Sequence, residues 1–281
     1  MASTERFLVD RGLLTRTADC ALPSLYGACH EEPYQPGGVG FATWPATKWP
    51  WFGQLGERGN LIVAVHRGKN LLVSPGVARL LDPICRAEIA RMRAADRGCA
   101  LLLDHLAVVG PSSLDDLREE LRLTRQDLRA LRSPLERCGA VVSRSLEVTA
   151  GEGHLHTSEL ARWDQVYPGG WDEADAGDWG ADGRGVGGAG GGGESGAGGR
   201  AVGGAGGGGE SGTADGGAGG DPRAALRDLV VAAVRAAVVA PERELRRWFS
   251  WPWYWDDTLV DGLVRDGRLR QVEGHVTTPA G

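Results

Sequence analysis

An α+β fold is the class this sequence predicts, and three observations carry it. Leucines and other apolar residues recur at helical spacing in several short blocks. Alternating apolar runs around Gly-containing turns follow those blocks, as strands of hairpins do. The order helix, helix, helix, hairpin is legible twice, with a glycine-rich stretch between the copies. The 281 residues therefore divide into an α+β region with a hairpin (1–95), a first three-helix unit with its hairpin (96–168), a disordered linker (169–220) and a second such unit (221–281).

Residues 96–168 show the order best. The run 99–109 is apolar enough for a buried helix, and Gly110-Pro111 stops it. Ser112 and Ser113 can accept from the free amides of a second helix, whose positive end suits Asp115 and Asp116. Leu114, Leu117 and Leu121 keep helical spacing. Thr124 offers the next N-cap, with Asp127 three residues on as an imperfect capping box. Leu128, Leu131 and Leu135 line one face of that third helix. Pro134 removes an amide and crowds the carbonyl of Ala130, so a kink or break is expected near Ser133. After it, 140–149 reads as a strand, Gly151-Glu-Gly153 as a turn and 154–158 as the returning strand. Three short helices and a hairpin make a winged helix-turn-helix, with the third helix free on one face.

That free face carries Arg125, Arg129 and Arg132, spaced i, i+4, i+7 and falling within about 40° of one another. Three aligned guanidiniums can pair with phosphates or read guanine edges. They can equally be a solvated face paired with Glu119, Glu120 or Glu136. Arg144, on the first wing strand, joins them as a candidate DNA contact.

In the N-terminal region, Phe7, Leu8, Leu13 and Leu14 fit a short helix and turn, and 31–40 is a Pro- and Gly-rich loop. Trp44, Trp49 and Trp51 are most simply packing residues. Runs 60–66 and 70–74 flank Arg67-Gly68-Lys69, a β-hairpin with a basic tip. Arg67 and Lys69 are candidate phosphate contacts, the alternative being a solvated turn. A helix over 77–95 places Arg79, Arg86 and Arg93 on one side.

The linker holds 26 of the 45 glycines and repeats Val-Gly-Gly-Ala-Gly-Gly-Gly-Gly-Glu-Ser-Gly at 186–196 and 202–212. It has almost nothing to bury. No lysine follows its glycines, so it is no phosphate loop. Beyond it, 224–239 is an amphipathic helix, 242–249 a second helix opened by Pro241, and 248–255 an aromatic knot that reads as core. Asp256 or Asp257 can cap a third helix to Arg265, and 268–272 with 275–278 can form a hairpin around Gly274. This third helix carries Asp256, Asp257 and Asp261, which repel phosphate, so the C-terminal copy reads as a docking or structural element.

Lysine and arginine number 31 against 37 acidic residues, for a net charge of −6. The linker alone carries 2 basic and 8 acidic side chains, so the remainder is balanced. That neither marks a strong nonspecific nucleic-acid binder nor excludes a specific one. Five cysteines without a CxxC point to reduced thiols in a cytoplasm. Cys29-His30 with Cys20 lacks a fourth ligand, so neither a metal site nor a cofactor is expected. No run of about 18 apolar residues spans a membrane, and the N-terminus lacks a signal-peptide core.

Taken together, Trp49-Pro-Trp51, the Arg67-Gly-Lys69 tip leading to Leu72-Val-Ser74, Val109-Gly-Pro-Ser-Ser-Leu-Asp-Asp-Leu117, Thr157-Ser-Glu-Leu-Ala-Arg-Trp163 and Glu244-Leu-Arg-Arg-Trp-Phe-Ser-Trp251 occur in an order that resembles short actinobacterial relatives of the AlkZ/YcaQ-type DNA glycosylases. The resemblance implies tandem winged helices, a double-stranded DNA partner, and, in full-length enzymes, removal of alkylated bases that crosslink two strands. That activity relies on a Gln-x-Gln or Gln-x-Asp pair that positions water. The glutamines here are Gln35, Gln54, Gln126, Gln165 and Gln271, and no two lie two apart. The N-terminal winged helix that bears the motif is also expected to be missing, so no catalytic residue is carried over. Two alternatives stand beside this noncatalytic DNA binder. One is an active glycosylase using Glu159 or Asp164. The other is a protein-interaction module, in which the two winged-helix domains dock on each other or on a partner.

Overall fold

The computed structural model describes residues 2–28, 51–150, 153–167 and 220–279. The linker over 169–219, the loop 31–40, Trp44, Trp49, Cys29, His30 and the turn residues 151–152 lie outside the described residues. The chain is mixed helix and small antiparallel sheets, three sheets of three strands among the described residues.

The first unit runs α1 (Ala2–Arg11), β1 (Leu13–Thr15), α2 (Leu25–Ala28), α3 (Trp51–Gly56), β2 (Leu61–His66) and β3 (Lys69–Val73). Gly12, at φ +80°, turns the chain out of α1 so that Leu13 and Leu14 form a strand rather than the expected turn. β1 pairs with β3, giving the order β1-β3-β2. Arg67 (φ 53°) and Gly68 (φ 72°) form the tip of the β2–β3 hairpin. Positive φ at both central residues matches the twist of the flanking strands.

A 21-residue helix, α4 (Pro75–Ala95), follows, with Pro75 in its first turn and Pro83 inside it. The second unit runs α5 (Arg97–Val109), β4 (Ser112–Ser113), α6 (Leu114–Glu120), α7 (Arg125–Cys138), β5 (Val141–Ala150) and β6 (Gly153–Arg162). Its caps follow the sequence. Asp96 accepts from the Cys99 amide at 2.7 Å, Ser113 from Asp116 at 3.1 Å, and Thr124 exchanges bonds with Asp127 in a complete capping box. Helix α7 continues through Pro134, against the break expected near Ser133. Pro134 sits in the last turns, where buried Leu135 and Cys138 anchor the helix to the core. One lost amide does not outweigh that burial. Gly139 then ends α7 at φ +80°, and a Cβ there would meet Cys85 Sγ at 2.6 Å.

After the short α8 (Trp163–Val166), the third unit runs α9 (Pro222–Ala237), β7 (Ala240–Pro241), α10 (Glu242–Leu245), α11 (Leu259–Arg265), β8 (Arg270–Val272) and β9 (His275–Thr277). All three units thus share one order, α-β-α-α-β-β. In each, the third strand lies between the first and the second. The N-terminal region, read from sequence as a generic α+β segment, is a third copy of that order.

The units do not stand apart. α4 packs along α9 and also against α5 and α7. One apolar cluster runs from Val63 and Leu71 through Leu81, Leu102, Leu135 and Trp163 to Leu229, Trp248 and Trp251. A smaller one, around Leu8, Leu14, Phe52 and Leu72, backs the other side of the first sheet. No helix among the described residues is long and apolar enough to cross a membrane.

Candidate nucleic-acid interface

Helix α7 is strongly amphipathic. Leu128 and Leu135 are buried, while Arg125 and Arg129 are exposed. Its N-terminus is fixed by the Thr124–Asp127 box, and its C-terminus leads through Gly139 into β5. The ten-residue β5 and β6 pair in unbroken register from Val141–Arg162 to Ala150–Gly153. The hairpin thus stands beside the helix, and the short β4 ties α6 to its far strand.

The arginine edge is not uniform. Arg132 is half-buried, and its Nε lies 3.2 Å from Glu136 Oε2, one turn further along. Glu136 also accepts a hydrogen bond from the Ser143 hydroxyl on β5. This pair locks the C-terminal half of the edge to the hairpin. Of the three arginines of the edge, it leaves Arg125 and Arg129 presented outward. Arg144 lies opposite Glu159 on the β5–β6 ladder.

The β2–β3 tip is exposed, but both of its cations have partners within the chain. Arg67 Nε donates to the Arg247 carbonyl at 2.9 Å. Lys69 is paired with the Asp19 carboxylate. Gly68 sits against the Arg137 side chain, at the C-terminal end of α7. Arg125 is twelve residues earlier, about 18 Å along the helix axis. The structure therefore brings Arg125 and Arg129 together and sets Arg67 and Lys69 in contacts of their own. Of the arginines on α4, Arg86 pairs with Asp82 and donates to the Tyr167 carbonyl, and Arg93 pairs with Asp104 of α5.

In the third unit the first half of the aromatic knot is core, as read from sequence, with Trp248, Phe249 and Trp251 buried. The second half is not, for Trp253 is exposed and Tyr254 and Trp255 are half-buried. Asp256 accepts from the Thr258 amide and hydroxyl before α11 begins, and Asp257 pairs with Arg246.

Sequence reasoning missed a second polar cluster. Asp19, Cys20 and His66 bring a carboxylate, a thiol and an imidazole within 4.8 Å of one another. The partner of Cys20 is not the nearby Cys29-His30 pair but His66, 46 residues away, which arrives only when β2 pairs in the sheet. The His66 ring is fully buried, and its Nδ1 is 2.7 Å from the Trp248 carbonyl. Burial lowers the His66 pKa, with the Trp248 carbonyl and Asp19 pulling it back. Burial raises that of the Cys20 thiol. Burial also works against the charge on Asp19, but the hydrogen bond and charge of Lys69 bring its carboxyl below the ordinary value.

No protein-family model matches this chain, and no curated protein or solved structure matches it either.

Proposed function

We propose that this chain binds double-stranded DNA as a tandem winged-helix protein, a noncatalytic relative of the AlkZ/YcaQ-type glycosylases. The observation that carries the reading is helix α7. It is the third helix of an α-β-α-α-β-β unit, backed by Leu128 and Leu135, with Arg125 and Arg129 in solvent beside a long hairpin. A helix so placed can lie along a groove while the hairpin follows the backbone. The same element and strand order in the first and third units supports three winged helices in tandem. The third unit then serves as a brace, because its α11 carries Asp261 and its Trp248, Phe249 and Trp251 are packed inward.

Catalysis is left out of this reading. The first unit is present, but no glutamine of the chain has a glutamine or an aspartate two residues on. Asp164 is held by Arg162, and Glu159 faces Arg144, so both carboxylates have charge partners.

The test is duplex binding by fluorescence anisotropy as a function of salt. Each phosphate contact contributes about 0.9 to the slope of log affinity against log salt. Arg125→Ala and Arg129→Ala are each expected to weaken binding and to lower the slope by about one contact. Binding that is absent at low salt, or unchanged in both variants, overturns the proposal. Incubation with alkylated and crosslinked duplexes is expected to release no base.

A further inference from the structure

The Asp19–Cys20–His66 cluster has the chemistry of a metal centre. It offers one soft sulfur, one imidazole nitrogen and one carboxylate oxygen, a donor set suited to borderline-soft, zinc-class cations. The separations fit. His66 Nε2 is 3.9 Å from Cys20 Sγ and 3.8 Å from Asp19 Oδ1. Tetrahedral zinc, with bonds of about 2.0–2.3 Å, sets its donors about 3.3–3.8 Å apart. The carboxylate and the thiol lie within 4.8 Å of each other, so the loop that carries both draws in by up to about 1 Å to close the site.

The second observation is the orientation of the histidine. With Nδ1–H donating to the Trp248 carbonyl, the Nε2 lone pair is aimed at the carboxylate and the thiol. Metal-binding histidines are held in this way by a backbone carbonyl or carboxylate on the other nitrogen. Glu244 completes the surroundings: its Oε2 accepts from the Ala21 amide at 3.2 Å, next to Cys20 in the chain. Lys69, on the other oxygen of Asp19, is the cation that an incoming metal must compete with.

We propose that Asp19, Cys20 and His66 bind one zinc-class divalent cation, with the fourth position left to water. On binding, the Cys20 proton leaves to solvent and the thiolate bonds the metal. The site joins the loop after β1, the end of β2 and, through Trp248 and Glu244, the third unit. The cation therefore acts as a clamp between the first and third units. The inference does not depend on DNA binding, and its experiment contains no DNA.

The experiment titrates chelator-treated, reduced full-length chain with cobalt(II), followed by absorption. The expected result is one equivalent bound, with tetrahedral d–d bands and a thiolate-to-cobalt charge-transfer band, both bleached by zinc. Cys20→Ser removes the charge-transfer band. His66→Gln weakens binding by about 100-fold or more, since losing even a ligand's partner costs about 10–100-fold. Cys138→Ser leaves the spectrum unchanged. Lys69→Met frees Asp19 and tightens binding severalfold, a gain that misfolding cannot imitate. Zinc raises the melting temperature of the unmutated chain, as any ligand of the native state does, and does not raise that of Cys20→Ser. The proposal is overturned by absence of a thiolate band in the unmutated chain. It is equally overturned by a band that survives Cys20→Ser and disappears in Cys29→Ser.

Discussion

The Trp251 indole N–H donates to the carbonyl of Cys138 at 2.9 Å, joining the aromatic segment of the third unit to the last residue of α7. The two residues are 113 apart in the chain, and both are buried. The C-terminal end of the candidate interface helix is thus held by a residue from the far side of the glycine-rich stretch.

Replacing that donor tests the bond. Trp251→Phe leaves a buried carbonyl unsatisfied, which costs about 1–3 kcal/mol beyond the lost ring contacts. Trp248 is equally buried, but its indole N–H has no partner among the described residues. Trp248→Phe is therefore expected to cost less than Trp251→Phe. Urea unfolding of the two variants gives the comparison, and equal losses would remove the bond from the account.

Glu88 on α4 is fully buried, and Arg91 holds it at 2.6 Å. Glu88 also accepts from the Trp253 indole at 2.9 Å, and the Arg91 guanidinium lies 4.1 Å from the centre of that ring. Removing the cation alone leaves a buried carboxylate without its charge. Arg91→Ala should destabilise by about 2–3 kcal/mol, toward the low side for buried pairs because the arginine is partly exposed. The double variant Glu88→Leu/Arg91→Leu should recover part of that loss. Chemical denaturation of the single and double variants measures both.

Alkali should weaken the fold before it reaches the arginines. Burial pushes the Cys138 thiol up to about 12 and the fully buried Cys85 well above its ordinary value of 9.0. Between the unfolded and folded values, the unfolded chain has lost the proton and the native chain keeps it. Native stability is therefore complete below pH 9 and declines as the pH rises toward 12. Urea midpoints at pH 7.5 and 10 should show the decline, and Cys138→Ala should make it shallower. A midpoint indifferent to pH over that interval would contradict the burial argument.

Glu136 restrains the arginine edge by holding Arg132. Glu136→Gln keeps the shape, releases the guanidinium and removes a negative charge from the α7 surface. Duplex affinity should rise severalfold, and the salt slope should steepen toward one further contact. Arg67→Ala, by contrast, should leave the salt slope unchanged, because that guanidinium is bound to the Arg247 carbonyl. Anisotropy titrations at several salt concentrations distinguish the two variants.

Elements that satisfy themselves locally were readable in the sequence. The caps at Ser113 and Thr124, the β2–β3 hairpin and the ladder after Gly139 all follow from neighbouring residues. The first strand of each unit was not readable. Ser112–Ser113 and Ala240–Pro241 are two residues long and become strands only by pairing with Leu160–Glu159 and Val276–His275. Missing them hid the repetition of one order in the first unit. The helix expected over 242–249 ends at Leu245, where the chain turns to bury Trp248 and Trp251. At the interface, the spacing of Arg125, Arg129 and Arg132 was legible, but the Arg132–Glu136–Ser143 link needed the hairpin in place. The Cys20–His66 approach had no local signal at all.

The direct contact between the first and third units has a consequence for how the polypeptide can be divided. The Ser250 amide donates to the Val65 carbonyl at 3.0 Å, α4 lies along α9, and Trp251 reaches Cys138. These contacts, and not the peptide bonds crossing residues 168–219, hold the two portions in register. A chain severed within that stretch should remain a stoichiometric pair of fragments through size-exclusion chromatography. Separately produced halves should find each other when mixed.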